Sequence, residues 1–286
     1  MNANSLPKTP VIKDWLSDAV RQLRDAGIDS ARLDAEIILT HTLRKSRTYL
    51  HAHPDKIIDA RAREIADARL DLRLTRVPIA YIIGHKEFYG RRFTVTTATL
   101  IPRPESEALI GLLKSVIPPL RYDAPRLKVV DIGTGSGALG ITAKLEFPDL
   151  DVTLTDVSLH ALKIAQKNAD NLGADVTTLK SDLLNDYPAT PDIIIANLPY
   201  VDTSWERSPE TDHEPQLALF AEDGGTHLIK KLITQSEILL APGGYLILEA
   251  DPEQHPALIK HAAHHGLFIK AETGYGLLLQ KTTVSP

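Results

Sequence analysis

No cysteine occurs in the 286 residues. Disulfides, thiolate nucleophiles and cysteine-based zinc or iron–sulfur sites are thereby excluded, and a reducing, intracellular setting is expected, because disulfides belong to oxidising compartments. Nor does any run approach the roughly 18 apolar residues of a membrane span, and the opening "MNANSLPKTPVIKDW" lacks the apolar core of a secretory leader. A cytoplasmic protein with no membrane attachment is the expectation. There is no internal repeat, no low-complexity run and no spacing that suggests a Ser-His-Asp arrangement. The histidines of "KHAAHHG" (His261, His264, His265) have no carboxylate constellation nearby. They read as surface residues of a helix end, and no metal site is expected.

What is present is an ordinary globular composition, 43% hydrophobic and 24% charged. The length allows a full core and a smaller second unit, since single cores stop growing at roughly 250 to 300 residues. Net charge is −5 but uneven: residues 1 to 92 hold 17 Lys+Arg against 12 Asp+Glu, residues 93 to 286 hold 15 against 25. A main domain that gripped a nucleic-acid backbone should carry the opposite sign, so the balance counts against a DNA or RNA substrate.

The first 75 or so residues read as helices. Leu16, Ala19, Val20 and Leu23 share a face that stops at Gly27. Asp29 or Ser30 offers an N-cap for a second helix with Leu33 and Ile37 four apart, and Ile58, Ala62, Ile65 and Leu72 mark a third. Charged residues are expected on the opposite faces. Tyr81–Ile83 and Phe93–Val95 then suggest two strands around a turn with Gly90, and a short helix starts at Pro104. From Leu127 onward strand-like and helix-like segments alternate: "LKVVDIG", "DVTLTD", "VTTLKSD", "DIIIANLPY", "GYLILEA", "LFIKAE" and "LLLQK" are the strands. That pattern predicts an α/β fold, a mostly parallel sheet covered by helices, with ligands at the carboxyl ends of the strands. The expected organisation is a helical bundle over 1–77, a β-hairpin linker over 78–100 and the α/β domain over 101–286.

The loop "DIGTGSGALG" follows the first of these strands. Read from Gly135 it is G-x-G-x-x-G with Asp156 at the next strand end, 21 residues on, which allows a dinucleotide site. Read from Asp131 it resembles the first motif of class I (Rossmann-like) S-adenosylmethionine methyltransferases. In either reading Gly133, Thr134, Gly135, Ser136 and Gly137 bring backbone to a ligand at a helix N-terminus. Asp131 favours the second, because a carboxylate there repels a pyrophosphate but pairs with an ammonium. Asp156 can accept ribose hydroxyl protons, and the resemblance puts Asp182 near an adenine amino group with Leu183 beside the ring. A tight turn without a ligand, and a helix cap at Asp182, are the plainer alternatives.

"NLPY" resembles the Asp/Asn/Ser-Pro-Pro-Tyr motif of enzymes that methylate planar NH2 groups: adenine, cytosine, or the amide of glutamine. An NH2 group has two protons to direct, and the Asn197 side-chain oxygen and the Leu198 carbonyl are two acceptors. Pro199 biases Leu198 to extended geometry, and Tyr200 offers a ring face. Leu198 stands where proline is usual, and Asn-Leu/Ile-Pro-Tyr is also the form of ribosomal RNA adenine dimethyltransferases, so the tetrapeptide leaves glutamine and adenine both open. A helix cap followed by a turn is the structural alternative.

The rest of the chain bears on that choice. A helical N-terminal part, "VPIAYIIGHKEFYG", "TLIPRPESE", "DIGTGSG", NLPY and "HEPQLALFAEDGG" occur in order. Together they resemble the PrmC/HemK family, which methylates the side-chain amide of glutamine in peptide chain release factors. Pro102-Arg103-Pro104-Glu105 stands where sister enzymes acting on a ribosomal protein carry Pro-Arg-Ser-Pro, and RNA adenine dimethylases lack this N-terminal domain. The resemblance implies S-adenosylmethionine as cofactor and S-adenosylhomocysteine as product. It also implies a release factor as protein substrate, docked by the helices and offering a Gly-Gly-Gln loop, with no direct nucleic acid and a monomeric enzyme. Arg103 and Glu107 are implied near the cofactor or domain junction, and Glu214-Pro215 in closing the site. "LEADPEQ" and "GYGLLLQK" depart from the family pattern and put the C-terminal edge of the sheet in question. An adenine N6 methyltransferase and a cofactor-binding module without turnover are the competing readings.

Overall fold

The computed structural model describes residues 11–120 and 126–283, so the opening residues 1–10, where no secretory leader is expected, lie outside the described residues. They divide into two compact units: the chain up to Gly84 together with Ser208–His213, and His85–Arg207 together with the chain from Glu214. The division thus falls after Gly84 rather than at 77. The hairpin lies within the second unit.

The helical unit comprises α1 (Ile12–Asp25), α2 (Ala31–Leu43), α3 (Arg47–Ala52), α4 (Ala60–Leu74) and α5 (Ile79–Ile83). Trp15, Ala19 and Leu23 of α1 pack on Ala35, Ile38 and Leu39 of α2 and on Ala66 and Leu70 of α4. Gly27, at φ 71°, lets the chain leave α1, and Asp59 caps α4 by accepting from Ala62 N at 2.9 Å. Ser30 precedes α2, but its hydroxyl donates to Asp34 instead of capping. Two of the expected faces are turned. Leu33 on α2 and Ile65 and Leu72 on α4 are exposed, whereas Asp34, Glu36 and Arg73 are buried. Arg73 Nε donates to Asp34 Oδ2 at 2.7 Å and Nη2 to Glu210 Oε1 at 3.0 Å, while Glu36 accepts from Arg47 Nε at 2.7 Å. Paired charges can enter a core, and apolar spacing then marks the wrong face. Tyr81–Ile83, expected as strand, lies in α5, which Pro78 precedes and Gly84 ends at φ 76°.

The second unit opens with a hairpin, β1 (His85–Phe88) and β2 (Arg91–Thr94). Tyr89 and Gly90 both have positive φ, the geometry that matches strand twist in two-residue turns. Phe88 and Phe93 meet edge to face at 6.1 Å and are buried in this unit's core, so the hairpin is part of the α/β unit and not a free linker. Seven further strands form one sheet: β3 (Lys128–Ile132), β4 (Asp151–Asp156), β5 (Thr177–Lys180), β6 (Ile193–Ala196), β7 (Tyr245–Glu249), β8 (Leu267–Thr273) and β9 (Gly276–Lys281). Their order is β5-β4-β3-β6-β7-β9-β8. The first four pairings are parallel and the two involving β9 antiparallel.

Alternation along the strands feeds two cores. Val129, Ile193, Ile195 and Ile247 face α6 (Glu107–Leu120), α7 (Ala138–Glu146) and α8 (Leu159–Leu172). Val130, Ile194, Leu246 and Leu248 face α9 (His227–Leu239) and α10 (His255–His264). Because β4 and β6 flank β3 on opposite sides, the connections diverge there and leave a crevice at the carboxyl ends. The C-terminal edge pairs regularly, from Tyr245↔Gln280 to Glu249↔Gly276, with one bulge in β8. Among the described residues, no helix is long and apolar enough to cross a membrane.

Candidate active site

The glycine loop joins β3 to α7. Gly133 has φ 68°, and a Cβ there would stand 3.0 Å from Leu198 Cδ2; a Cβ on Gly140 would stand 2.3 Å from Leu154 Cδ2. A methyl group at 133 would press on the movable end of Leu198, and one at 140 would force Leu154 and Asp131 to shift. Beneath the loop, Asp131 Oδ2 accepts from Thr134 Oγ1 at 2.6 Å and from Gly140 N at 2.9 Å. Burial pushes this carboxyl up to about 6 against those two hydrogen bonds. Asp131, expected as a partner of a cofactor ammonium directly or through water, ties the loop to its helix and is not among the residues that line the cavity.

Asp156 ends β4 and does line it. Its Oδ2 accepts from Gly135 N at 3.0 Å and its Oδ1 from Ser158 N at 2.9 Å, and burial raises its pKa. Each oxygen retains a lone pair for a further donor. Asp182 accepts from Lys231 Nζ at 2.7 Å. Leu183 is buried with φ 53°, a conformation costing a non-glycine residue about 1 kcal/mol or more. Ser181 Oγ holds it there by donating to its carbonyl at 2.8 Å. The Ser136 carbonyl accepts from buried Asn168, which also clasps the backbone of Thr94 in β2.

β6 delivers the tetrapeptide to the same crevice. Asn197 Nδ2 donates to Ser106 Oγ at 3.0 Å, which leaves Oδ1 as its acceptor. Leu198 is buried against the glycine loop, and Asn197, Leu198 and Pro199 line the cavity. Tyr200 does not. Its hydroxyl donates to Glu249 Oε1 at 3.1 Å and burial, then the Glu249 charge, raises its pKa. Gln254 Nε2 donates to the carbonyls of Tyr200 at 2.8 Å and Gly224 at 2.7 Å, fixing the chain where it leaves the tetrapeptide. A Cβ on Gly225 would overlap the Tyr200 carbonyl, at 1.9 Å.

The cavity, roughly 290 Å³, is lined by Gly133, Gly135, Asp156, Leu183 and Asn197 and, from the opposite reaches of the sequence, by Leu100, Pro102, Pro215 and Leu217. Glu214 is buried as a strut: its carboxylate accepts from Arg103 Nη2 and, at 3.1 Å, from Ile101 N. Arg103 is thereby engaged with Glu214. Glu107, expected near the cofactor or domain junction, accepts from Tyr89 N at 2.8 Å and pins the hairpin turn; it is not among the lining residues. Among the described residues no group of three or more metal-ligating side chains is brought together. The rings of His261 and His265 lie 4.6 Å apart, inclined at 54°, with His265 Nδ1 bonded to Glu237.

Sequence reasoning missed Ser106, Glu249 and Gln254. Ser106 sits in the quoted "PRPESE" and Gln254 ends the quoted "LEADPEQ", but no spacing rule links either to residue 197 or 200. Only the buried acid of an otherwise apolar strand, "LILEA", was a visible signal.

Strand order, glycine loop and strand-end acids define a class I S-adenosylmethionine methyltransferase fold. Two family models match: the PrmC N-terminal domain over residues 14–84 and the methyltransferase small domain over 112–212. The hMettl16 catalytic domain, solved with the MAT2A 3′UTR hairpin 6, shares the fold at a TM-score of 0.52 and 16% identity, over 80% of this chain and 84% of that one. The release factor glutamine methyltransferase of Deinococcus radiodurans is 35% identical over 249 residues, 86% of this chain and 88% of its own. That of Koribacter versatilis is 38% identical over 251 residues, 84% and 88%. The chain belongs to the release factor glutamine methyltransferase family.

Proposed function

We propose that this enzyme methylates the side-chain amide nitrogen of the glutamine in the Gly-Gly-Gln motif of a peptide chain release factor, with S-adenosylmethionine as methyl donor. The observation that carries the reading is Asn197, whose NH2 is tied to Ser106 so that its oxygen is left for the NH2 of a substrate. Family membership narrows that NH2 to a glutamine.

The lining fits the cofactor. The close approach of Gly133 to Leu198 keeps the loop backbone bare, Asp156 has lone pairs for two ribose hydroxyls, and Leu183 gives an apolar wall for a purine ring. Bound, S-adenosylmethionine supplies a methyl group activated by a sulfonium charge. The protein's residues then have positioning to do. Asn197 Oδ1 and the Leu198 carbonyl accept hydrogen bonds from the two N–H groups of the substrate amide, which turns its lone pair to the methyl group. Pro199 keeps Leu198 extended. Tyr200 is fixed by Glu249 and Gln254 and stiffens the end of the tetrapeptide. No strong base is needed, because the nitrogen can lose its proton after transfer. The helical unit is the proposed dock for the release factor, where surface charge would act chiefly on encounter and specificity. Pro215 bounds the cavity, and Glu214 before it steadies residues 101 to 103.

With purified release factor and S-adenosylmethionine, mass spectrometry of the Gly-Gly-Gln peptide should show the mass of one added methyl group, and Asn197→Ala should abolish it. An unmodified peptide under saturating cofactor, with label recovered in RNA, DNA or ribosomal protein instead, would sink the assignment.

A further inference from the structure

One buried acid has no part in the cavity wall. Glu249 ends β7, the strand registered beside β6, and it is 1% exposed. Oε1 accepts the Tyr200 hydroxyl, and Oε2 is buried without a hydrogen-bond partner. An unsatisfied carboxylate oxygen is an expensive thing to keep in a core, so its surroundings matter. Ser106 and Asn197 lie on it. Burial pushes the Glu249 carboxyl up, while Ser106, Tyr200 and Asn197 hold it back toward the charged form, although neither Ser106 nor Asn197 completes a bond to Oε2.

The hydrogen-bond directions follow from the chemistry. Asn197 Nδ2 can only donate, so Ser106 Oγ accepts from it and keeps its own proton for another acceptor. A charged carboxylate can only accept. No hydrogen bond joins Ser106 to Glu249, but Ser106 and Asn197 both act on its carboxyl, at the end of the strand beside β6, and a flipped amide would turn Oδ1 toward a group that cannot donate. An amide whose NH2 donates to a neighbour beside a negative charge carries more negative charge on its oxygen.

We propose that Glu249 is a positioning residue for methyl transfer: beside the Ser106-bonded NH2 of Asn197 it favours the amide oxygen turned toward the cavity, and it sets a negative charge behind that amide. The inference rests on the functional reading above. During transfer the lone pair of the substrate nitrogen forms the new N–C bond and the pair of the broken S–C bond stays on sulfur. The nitrogen carries positive charge until one proton leaves it for solvent. A stronger acceptor at Asn197 Oδ1 and a fixed negative charge beyond it both favour that charge as it develops. The other titratable groups around Glu249 are few. Glu105, ahead of α6, pushes its carboxyl further up; Tyr275, in the β8–β9 turn, lies 6.4 Å from the Tyr200 ring; Arg103 acts on Tyr200; and His255 of α10 bonds the Ala250 carbonyl at 3.2 Å.

The test measures kcat against pH with saturating S-adenosylmethionine and purified release factor. In the wild type, kcat should fall on the acid side with a midpoint above the ordinary glutamate range. Glu249→Gln should lower kcat about tenfold or more at neutral pH and remove that acid limb, with KM for release factor and calorimetric Kd for S-adenosylmethionine within about twofold. A Glu249→Gln enzyme with near-normal kcat, or with the acid limb intact, overturns the proposal. Should Glu249→Gln not fold, Ser106→Ala keeps the charge and removes the acceptor of the Asn197 NH2: kcat should fall with the limb retained, and an unchanged kcat counts against it. Independently of turnover, the infrared difference between wild type and Glu249→Gln should show one carboxylate band that becomes a carboxylic acid at the kinetic midpoint. Its absence also refutes the role. A wild type that leaves the release factor unlabelled overturns the functional reading, whereas a labelled wild type with an unaffected Glu249→Gln overturns only Glu249.

Discussion

Asp131 and Gly140 show how much of the glycine loop is structural. The Asp131 carboxyl, raised to about 6 from 3.8, takes up its proton more readily in the fold than in the unfolded chain. Its ionisation therefore opposes folding: relative to an uncharged residue, its contribution is most favourable in acid and is lost as pH rises through the folded value. Relative to Asp131→Asn, the wild type should lose up to roughly 3 kcal/mol between about pH 4 and about pH 7. Urea denaturation of both proteins across that range gives the difference directly, and a flat difference would contradict a desolvated carboxyl. Gly140→Ala should destabilise by about 1 to 3 kcal/mol, because the new methyl group meets both Leu154 and Asp131. An equal melting temperature would mean that α7 can shift away from the sheet.

At the level of elements, α2 and α4 are joined by charge as well as by apolar packing. Arg73 has Asp34 on one side and Glu210, from the Ser208–His213 segment, on the other. Arg73→Leu should cost about 3 to 5 kcal/mol, since it strands a buried Asp34, and the double change Asp34→Leu with Arg73→Leu should recover most of that loss. A double-mutant cycle by chemical denaturation decides it; additive losses would mean no coupling. The same pairs explain why helical spacing pointed to Leu33, Ile65 and Leu72. An ionic partner is distant in sequence, so the period of apolar residues cannot register it. The sheet strands were legible because, buried on both faces, they read as continuous apolar runs. The "AYII" stretch was not, because short apolar runs fit strand and helix alike.

Across the whole molecule, the two units carry separate cores, and every lining residue of the cavity belongs to one of them. S-adenosylmethionine at about a hundred times its Kd should stabilise the fold by about 2.7 kcal/mol. Hydrogen exchange should then slow at the amides of Thr134, Gly135, Ser136 and Leu183 and stay unchanged across α1 to α4. Equal protection in the helical unit would contradict a site confined to the α/β unit.

By itself the sequence determined the alternation of the α/β unit, the glycine loop, the strand-end positions of Asp156 and Asp182, and the tetrapeptide that offers Asn197. These are local patterns, set by periodicity and by turn chemistry within a dozen residues. Only the tertiary structure decided which way the polar groups point. It turned Asp131 under its loop, drew Glu107 to the hairpin and Glu214 to Arg103, set Ser106, ahead of α6, against Asn197, and brought Tyr200 to Glu249 beyond the ends of neighbouring strands. Buried polar groups must find partners wherever the fold brings donors and acceptors together, and those partners are set by strand order, which no local stretch of residues contains.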